Sequence, residues 1–345
     1  MYNTIRVTIF YEKGEQTMKK RIFALLQACA LVAATTACGI SDTQTGAKEK
    51  PDVIFATGDH TGSYFAFGNL LSGYMSDASG ADIELVSTEG SVANINGVNE
   101  GVFQLGLAQA DVMSYAWSGI RAFAKADETK SFRAIGGLYE EAVQIVTLDE
   151  TIRTVGDLKG KTVSIGAENS GVALNAMTIF DVYGLRVGED IKTANLPFGD
   201  SIEAMKAGEI DAAIIVSGAP TKVVGELVSE EEVHLVSIDG SKAAELMERY
   251  PYYNKHIILS STYPGLNEDV ETVSVQATVI VSADMPEEDV YQITASIYDN
   301  TEAISAILER GIQIGVENAT TGVPVPFHAG AAKYFAEKGF TVPVE

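Results

Sequence analysis

After Asp52 the chain alternates short apolar strand-like runs with segments whose apolar residues recur at helical spacing, and this alternation restricts the fold more than any other feature. Val53–Thr57 reads as a strand, and Tyr64, Phe67, Leu71, Tyr74 and Met75 mark one face of a helix. A strand over Asp82–Ser87, a helix over Ser91–Glu100, a strand over Phe103–Ala108 and a helix from Asp111 follow. After β-rich sequence at 134–148, a second block repeats the scheme. It has a strand at Thr162–Gly166, a helix at Gly171–Tyr183, an amphipathic segment near Ser201–Ala207, a strand at Ile210–Val216, a helix from Pro220 and a strand at Val233–Ile238. Such alternation predicts an α/β fold with parallel strands joined by crossover helices. A long β-rich run at Val270–Ser282 comes next. Then a helix opens at Pro286, with Asp284 near its cap, and its apolar stripe runs through Ile293, Ile297, Ile304 and Leu308. A final helix is expected near Ala329–Lys338.

The 345 residues suffice for two α/β domains. Ahead of them lies a segment of different character. Met18-Lys19-Lys20-Arg21 is basic, Ile22–Thr36 is apolar and Ala-rich, and Thr36-Ala37 precedes Cys38. This is the pattern of a secretory signal, and the apolar run is short for a bilayer span. Cys38 after small residues resembles a lipobox, although Thr35 stands where Leu is usual. Residues 1–17 fit no part of a signal, so Met18 is the expected start and Cys38 the expected lipidated residue. Gly39–Asp52 is polar and aperiodic and reads as a flexible tether with a reach of roughly 20 Å. A diacyl anchor there supplies the two chains that stable membrane attachment needs.

The only two cysteines, Cys29 and Cys38, lie within or at the end of this signal, so the globular body is expected to hold no disulfide and no Cys-ligated metal. The net charge of −23 excludes binding nucleic acid through its phosphates. An anion can still be bound, but only at a locally focused site.

Open α/β sheets bind ligands beyond the carboxyl ends of their strands. Four strand-to-helix loops are chemically alike, each combining glycine with hydroxyl or amide residues. They are Thr57–Tyr64 (TGDHTGSY), Ser87–Ser91 (STEGS), Gly166–Gly171 (GAENSG) and Ser217–Pro220 (SGAP). Glycine allows close backbone approach, and free helix N–H groups attract anions. Taken singly, each loop is accounted for by helix capping. Four of them, split between two blocks, point to a shared ligand site. None is a phosphate-binding loop, and Gly58, Gly62 and Gly68 are not spaced as a dinucleotide fingerprint.

Six stretches then carry a resemblance. They are residues 56–68 (ATGDHTGSYFAFG), 86–112, 136–146 (GGLYEEAVQIV), 154–176 (TVGDLKGKTVSIGAENSGVALNA), 204–220 (AMKAGEIDAAIIVSGAP) and 327–340 (FHAGAAKYFAEKGF). In this order they resemble the substrate-binding subunit of tripartite ATP-independent periplasmic (TRAP) transporters of the TAXI type. The resemblance implies a type II periplasmic-binding clamshell. Domain I would take 51–145 plus 279–345 and domain II 146–278, with Val143–Leu148 and Gln276–Val281 as the crossing strands of the hinge. It also implies ligand contacts from Thr61, Gly62, Ser63, Tyr64, Thr88, Ser91, Asn94, Gln109, Asp111, Tyr139, Ser170, Gly171, Val172, Ser217, Gly218 and Pro220. The implied cargo is a glutamate-like or dicarboxylic solute, and the implied partners are the membrane permease subunits of the transporter. No cofactor and no metal are implied. Where the family has small residues, this chain has Asp59 and His60, which either reshape the pocket rim or are a solvated pair. No Arg lies inside the four loops, although an Arg clamp would be the sharper sign of a carboxylate.

An enzyme is not expected. His60, His234, His256 and His328 fall in unrelated contexts, there is no Gly-x-Ser-x-Gly elbow, and His328 reads as a cap of the last helix. Two further readings share the clamshell: a ligand sensor for a membrane receptor or kinase, and the binding protein of an ATP-driven transporter. The expected location is extracytoplasmic.

Overall fold

The computed structural model describes residues 52–124, 130–307 and 314–344. The expected signal with Cys38, and the tether up to Pro51, lie outside the described residues. Among those described, no helix is long and apolar enough to cross a membrane.

The chain forms one ten-stranded sheet that serves two sets of helices. Strands β1 (Val53–Ala56), β2 (Ile83–Val86) and β3 (Leu105–Gln109) alternate with helices α1 (Ser63–Ser79), α2 (Ser91–Asn99) and α3 (Ala110–Ser118). The 16-residue β4 (Phe132–Thr147) leads to β5 (Thr162–Ser164), α4 (Gly171–Tyr183), β6 (Lys192–Ala194), α5 (Phe198–Lys206) and β7 (Ala212–Ser217). Then come α6 (Lys222–Glu230), β8 (His234–Val236), α7 (Gly240–Arg249), β9 (Asn254–Ile258) and β10 (Val270–Ser282). Helices α8 (Glu287–Tyr298), α9 (Thr301–Ile307), α10 (Val316–Ala319) and α11 (Ala329–Glu337) close the chain.

The main strand order is β2-β1-β3-β10-β4-β7-β5-β6. β1 pairs in parallel with β2 and β3, and β5 with β6 and β7, as the alternation requires. β4 and β10 run antiparallel to each other and to the parallel strands beside them. These two long strands join the lobes. The first core holds Phe55, Phe67, Leu107, Tyr139, Val279 and Phe335. The other two cores, on the opposite faces of the second lobe's sheet, take residues between Ala142 and Val275. Burying an aliphatic or Phe side chain of this kind contributes about 1.5–3 kcal/mol. On β4 the passage between cores falls at Glu140 and Glu141, which pair with Gln276 and Val275 of β10. A register shift lies between Gln276 and Thr278. The crossing is thus centred a few residues earlier on β4 than Val143–Leu148.

Several boundaries differ from expectation for identifiable reasons. The stripe expected from Ile293 to Leu308 is two helices, because the chain breaks after Tyr298, where the Asn300 side chain donates to Ser296 O. Leu308 lies outside the described residues. Pro286 stands at the N-cap of α8, one residue ahead of its expected place in the first turn, with no side-chain cap. α7 and β9 have no counterpart in the sequence pattern. α7 has only Ala243 and Leu246 fully buried, a weak periodic signal. His328 does cap α11, its Nδ1 accepting from Gly330 N at 3.2 Å.

Candidate functional site

Every parallel strand delivers its carboxyl end to the same cleft between the lobes. Loops after β1, β2 and β3 meet those after β5, β6 and β7 around a cavity of about 410 Å³, within the range of small-molecule sites. The first turns of α1, α2, α4 and α5 all border it, through Ser63 and Tyr64, Gly90 and Ser91, Gly171 and Val172, and Phe198 and Gly199. First-turn N–H groups have no acceptor within their own helix, and the helix dipole makes each such end positive. Four such ends around one cavity form a site that favours negative charge.

The loops are held in place by their own side chains. Thr57 Oγ1 donates to Val86 O at 2.8 Å, and Ser87 Oγ to Gly58 O at 2.6 Å, which ties the first loop to the second. Asn94 is fully buried: its Nδ2 donates to Thr57 O (2.6 Å) and Leu107 O (2.7 Å), and its Oδ1 accepts from Thr88 Oγ1 (2.6 Å). Ser91 Oγ accepts from Gln109 N at 3.1 Å. In the second lobe Ser170 is the N-cap of α4. Its Oγ accepts from Ala173 N (3.1 Å) and donates to Ala167 O (2.6 Å).

A second set of bonds runs between the lobes. Ser63 N and Ser217 Oγ are 3.1 Å apart. Asn169 Nδ2 donates to Glu89 Oε2 (2.7 Å), and Ala93 N to Asn169 O (3.1 Å). Asp59 accepts from Thr61 N (2.7 Å) and Thr61 Oγ1 through one oxygen and from Phe198 N (3.2 Å) through the other. Of the two readings of Asp59, the rim reading is the one its contacts match. His60 packs edge-on against Phe65, with ring centroids 4.4 Å apart. Gly171 makes a closer approach than any side chain would permit, because a Cβ there would run into the Gln109 side chain and reach Ser91 Oγ at 3.0 Å. Gly90 has φ +119°, a conformation that favours glycine, and faces Ser170 across the cleft.

Eleven of the sequence-predicted residues border the cavity: Thr61, Gly62, Ser63, Tyr64, Thr88, Ser91, Gln109, Ser170, Gly171, Val172 and Ser217. The other five do not border it. Asn94 braces β1 and β3 as described. Tyr139 stacks on Phe67, with ring centroids 4.0 Å apart. Gly218 accepts from Thr221 Oγ1 (2.6 Å) and precedes the cis Ala219–Pro220 peptide. Asp111 sits beneath α4, where its Oδ2 accepts from Asn175 Nδ2 at 2.9 Å and burial pushes its carboxyl up to about 7.

Sequence reasoning missed two parts of the wall. Pro197–Asp200 follows β6, a strand of only three residues that gives little periodic signal. Glu141 comes from the middle of β4 rather than from a loop. It is 2% exposed, and burial pushes its carboxyl up to about 8. The signal for it was the Glu140-Glu141 doublet in an apolar strand: successive residues point to opposite faces, so one carboxylate had to turn inward. Burial and the Glu141 charge together raise the Tyr64 hydroxyl well above its ordinary pKa. Two buried oxygens on this wall, Glu141 Oε2 and Gln109 Oε1, have no hydrogen-bond partner.

Residues 55–339 match the model of the NMT1-like family. Among solved structures, the chain is similar to MatC from Rhodopseudomonas palustris with bound malate (12% identity, 85% of this chain and 89% of that one, TM-score 0.49). It is similar to PhnD1 from Prochlorococcus marinus in complex with methylphosphonate (13% identity, 75% and 89%, TM-score 0.49). It is also similar to the GluR0 ligand-binding core from Nostoc punctiforme in complex with L-glutamate (15% identity, 74% and 96%, TM-score 0.45). None of these likenesses bears on which solute this chain takes.

Proposed function

The chain belongs to the NMT1-like family, and from that premise and the geometry of the cleft we propose that it is an extracytoplasmic solute-binding protein that closes around a small carboxylated solute and hands it to a membrane transporter. The observation that carries this reading is the convergence of four helix N-termini, two from each lobe, on one cavity of about 410 Å³. A solute there touches both lobes only when they are together. It therefore binds the closed form more tightly than the open one and shifts the population toward it. The lobes, divided on β4 at Glu140–Glu141 rather than at 145–146 and on β10 near Gln276 rather than at 278–279, act as rigid bodies about the crossing of β4 and β10. The backbone amides of Ser91, Gly171 and Val172 meet the carboxylate. The Ser63–Ser217 and Glu89–Asn169 bonds clasp the rim.

The finer reading is the substrate-binding subunit of a TRAP transporter of the TAXI type, supported by the motifs at 86–112, 154–176 and 327–340. In this reading Cys38 carries the lipid anchor and the tether lets the body reach the permease. Thermal melts of the full chain against amino acids, keto acids and dicarboxylates test the binding role. A solute at a hundred times its dissociation constant should add about 2.7 kcal/mol of stability. No stabilisation by any compound, or turnover of one, would count against it. Uptake into vesicles holding the partner permease should run on an ion gradient alone, and a requirement for ATP would remove the TRAP assignment.

A further inference from the structure

The cavity borders four carboxylates, those of Asp59, Glu89, Glu141 and Asp200, and no Lys or Arg. Asp59 and Glu89 are engaged with the opposite lobe, and Asp200 is exposed at the rim. Glu141 differs from all three. It is buried, it lies at the crossing between the lobes, and its Oε2 has no partner. Gln109 Oε1, on the same wall and equally buried, is also an acceptor without a donor. Leaving such acceptors buried and unpaired is costly, and the cost falls when a ligand brings donors.

We propose that Glu141 selects the cargo, and that the cargo is a zwitterionic amino acid with one carboxylate and an uncharged side chain, its ammonium set on Glu141 and Gln109. This rests on the solute-binding reading above and narrows it. An ammonium group has three donors and no acceptor, so it can satisfy both orphaned oxygens at once. The single carboxylate goes to the helix N-termini, as already described. A second carboxylate would find no Lys or Arg on the wall and would meet Glu141 in surroundings of low dielectric. Tyr64, Val172, Val216 and Phe198 offer an apolar seat for the side chain.

The titratable groups near Glu141 are Tyr64 of α1, Asp111 of α3 and Tyr139 of its own strand, with neutral Gln109 beside it. None is a cation. Burial, with the nearby Asp111 charge, pushes the Glu141 carboxyl up to about 8 against hydrogen bonds from Tyr64 and Gln109 that lower it, so Glu141 carries a proton in the unliganded protein near neutral pH, and docking an ammonium expels that proton.

The test is calorimetry on the full chain with L-leucine, 4-methylpentanoate (the same molecule without its amine) and succinate, together with a wider set of neutral L-amino acids. A neutral amino acid should bind at least tenfold more tightly than its deaminated counterpart and than succinate. At pH 7, titrations in buffers of different ionisation enthalpy should show close to one proton released per amino acid bound. In Glu141→Gln the affinity should fall at least thirtyfold and the proton release should vanish. The proton count on the unaltered chain stands even if that variant does not fold. Succinate or 4-methylpentanoate binding as well as the amino acid, or amino-acid binding without proton release, overturns the Glu141 assignment but leaves a solute-binding protein. No binding by any compound in the set overturns both.

Discussion

Ser217 Oγ, at the end of β7 in the second lobe, lies 2.8 Å from Ser63 Oγ at the start of α1 in the first, and the Ser63 amide donates to the same oxygen. Two buried hydroxyls whose residues are 154 positions apart form the clasp across the cleft. Most hydroxyls on this wall are spent in the same manner. Ser170 caps its own helix, Thr61 bonds Asp59, and Ser91 receives Gln109 N. These side chains hold the cleft's shape, while Glu141 Oε2 and Gln109 Oε1 are left without a hydrogen-bond partner.

Ser217→Ala removes the clasp without altering the sheet. A neutral hydrogen bond of this sort is worth about 0.5–1.5 kcal/mol. The expected result is a two- to tenfold weaker affinity for whichever solute stabilises the protein, with a melting temperature for the free protein nearly unchanged. Titration calorimetry beside a thermal melt separates the two effects.

Gly171→Ala tests the close approach of the lobes. The added methyl meets the Gln109 side chain and Ser91 Oγ, so the closed form is penalised whereas α4 itself gains helix propensity. Solution scattering should show a larger radius of gyration in the presence of ligand than for the unaltered chain. An identical ligand-bound radius would mean that the loops relax around the methyl.

Asn94→Ala separates a bracing role from a ligand contact. The variant loses bonds to Thr57 O, Leu107 O and Thr88 Oγ1, leaving Thr57 O with the Thr88 hydroxyl as its side-chain donor. Denaturant unfolding should show a loss of about 2–4 kcal/mol. A loss of affinity with stability intact would restore Asn94 to the ligand site.

The buried acids predict a pH dependence of defined sign. Unfolded carboxyls give up their protons near pH 4, but burial holds Asp111 up to about 7 and Glu141 up to about 8. Their protonated forms favour the fold fully below about pH 4. That contribution is lost as pH rises through 7 and 8, because the unfolded chain ionises these groups without the cost of burying charge. The free protein should therefore melt at a lower temperature at pH 9 than at pH 6. Glu141→Gln should reduce this drop, and equal drops in both proteins would show that Glu141 ionises freely in the fold.

The order of strands and helices was legible because each kind of element has its own period and the loops after β1, β2, β5 and β7 contain glycine. α4 at Gly171–Tyr183 and β10 at Val270–Ser282 fall where the pattern places them. Where the period fails, so does the reading. β6 has three residues, and α7 buries little of its surface, so neither announces itself. The loops around Thr61, Ser91 and Ser170 were legible as a group through their composition. Which of their atoms face a ligand was not, because one hydroxyl can cap a helix, bond a neighbour or point into a cavity, and residue type is the same in all three cases.

From sequence alone came the alternating α/β architecture, the glycine- and hydroxyl-rich loops at strand ends and the acidity of the body, all of which depend on local spacing and composition. Only the tertiary structure decided that Asn94, Asp111, Tyr139, Gly218 and Pro220 do not border the cavity and that Glu141 does. The reason is physical. A strand residue's side is set by the pleat and by what packs on either face, and the two lobes that make the cleft meet through residues far apart in the chain, 80 positions for Glu89 and Asn169 and 154 for Ser63 and Ser217.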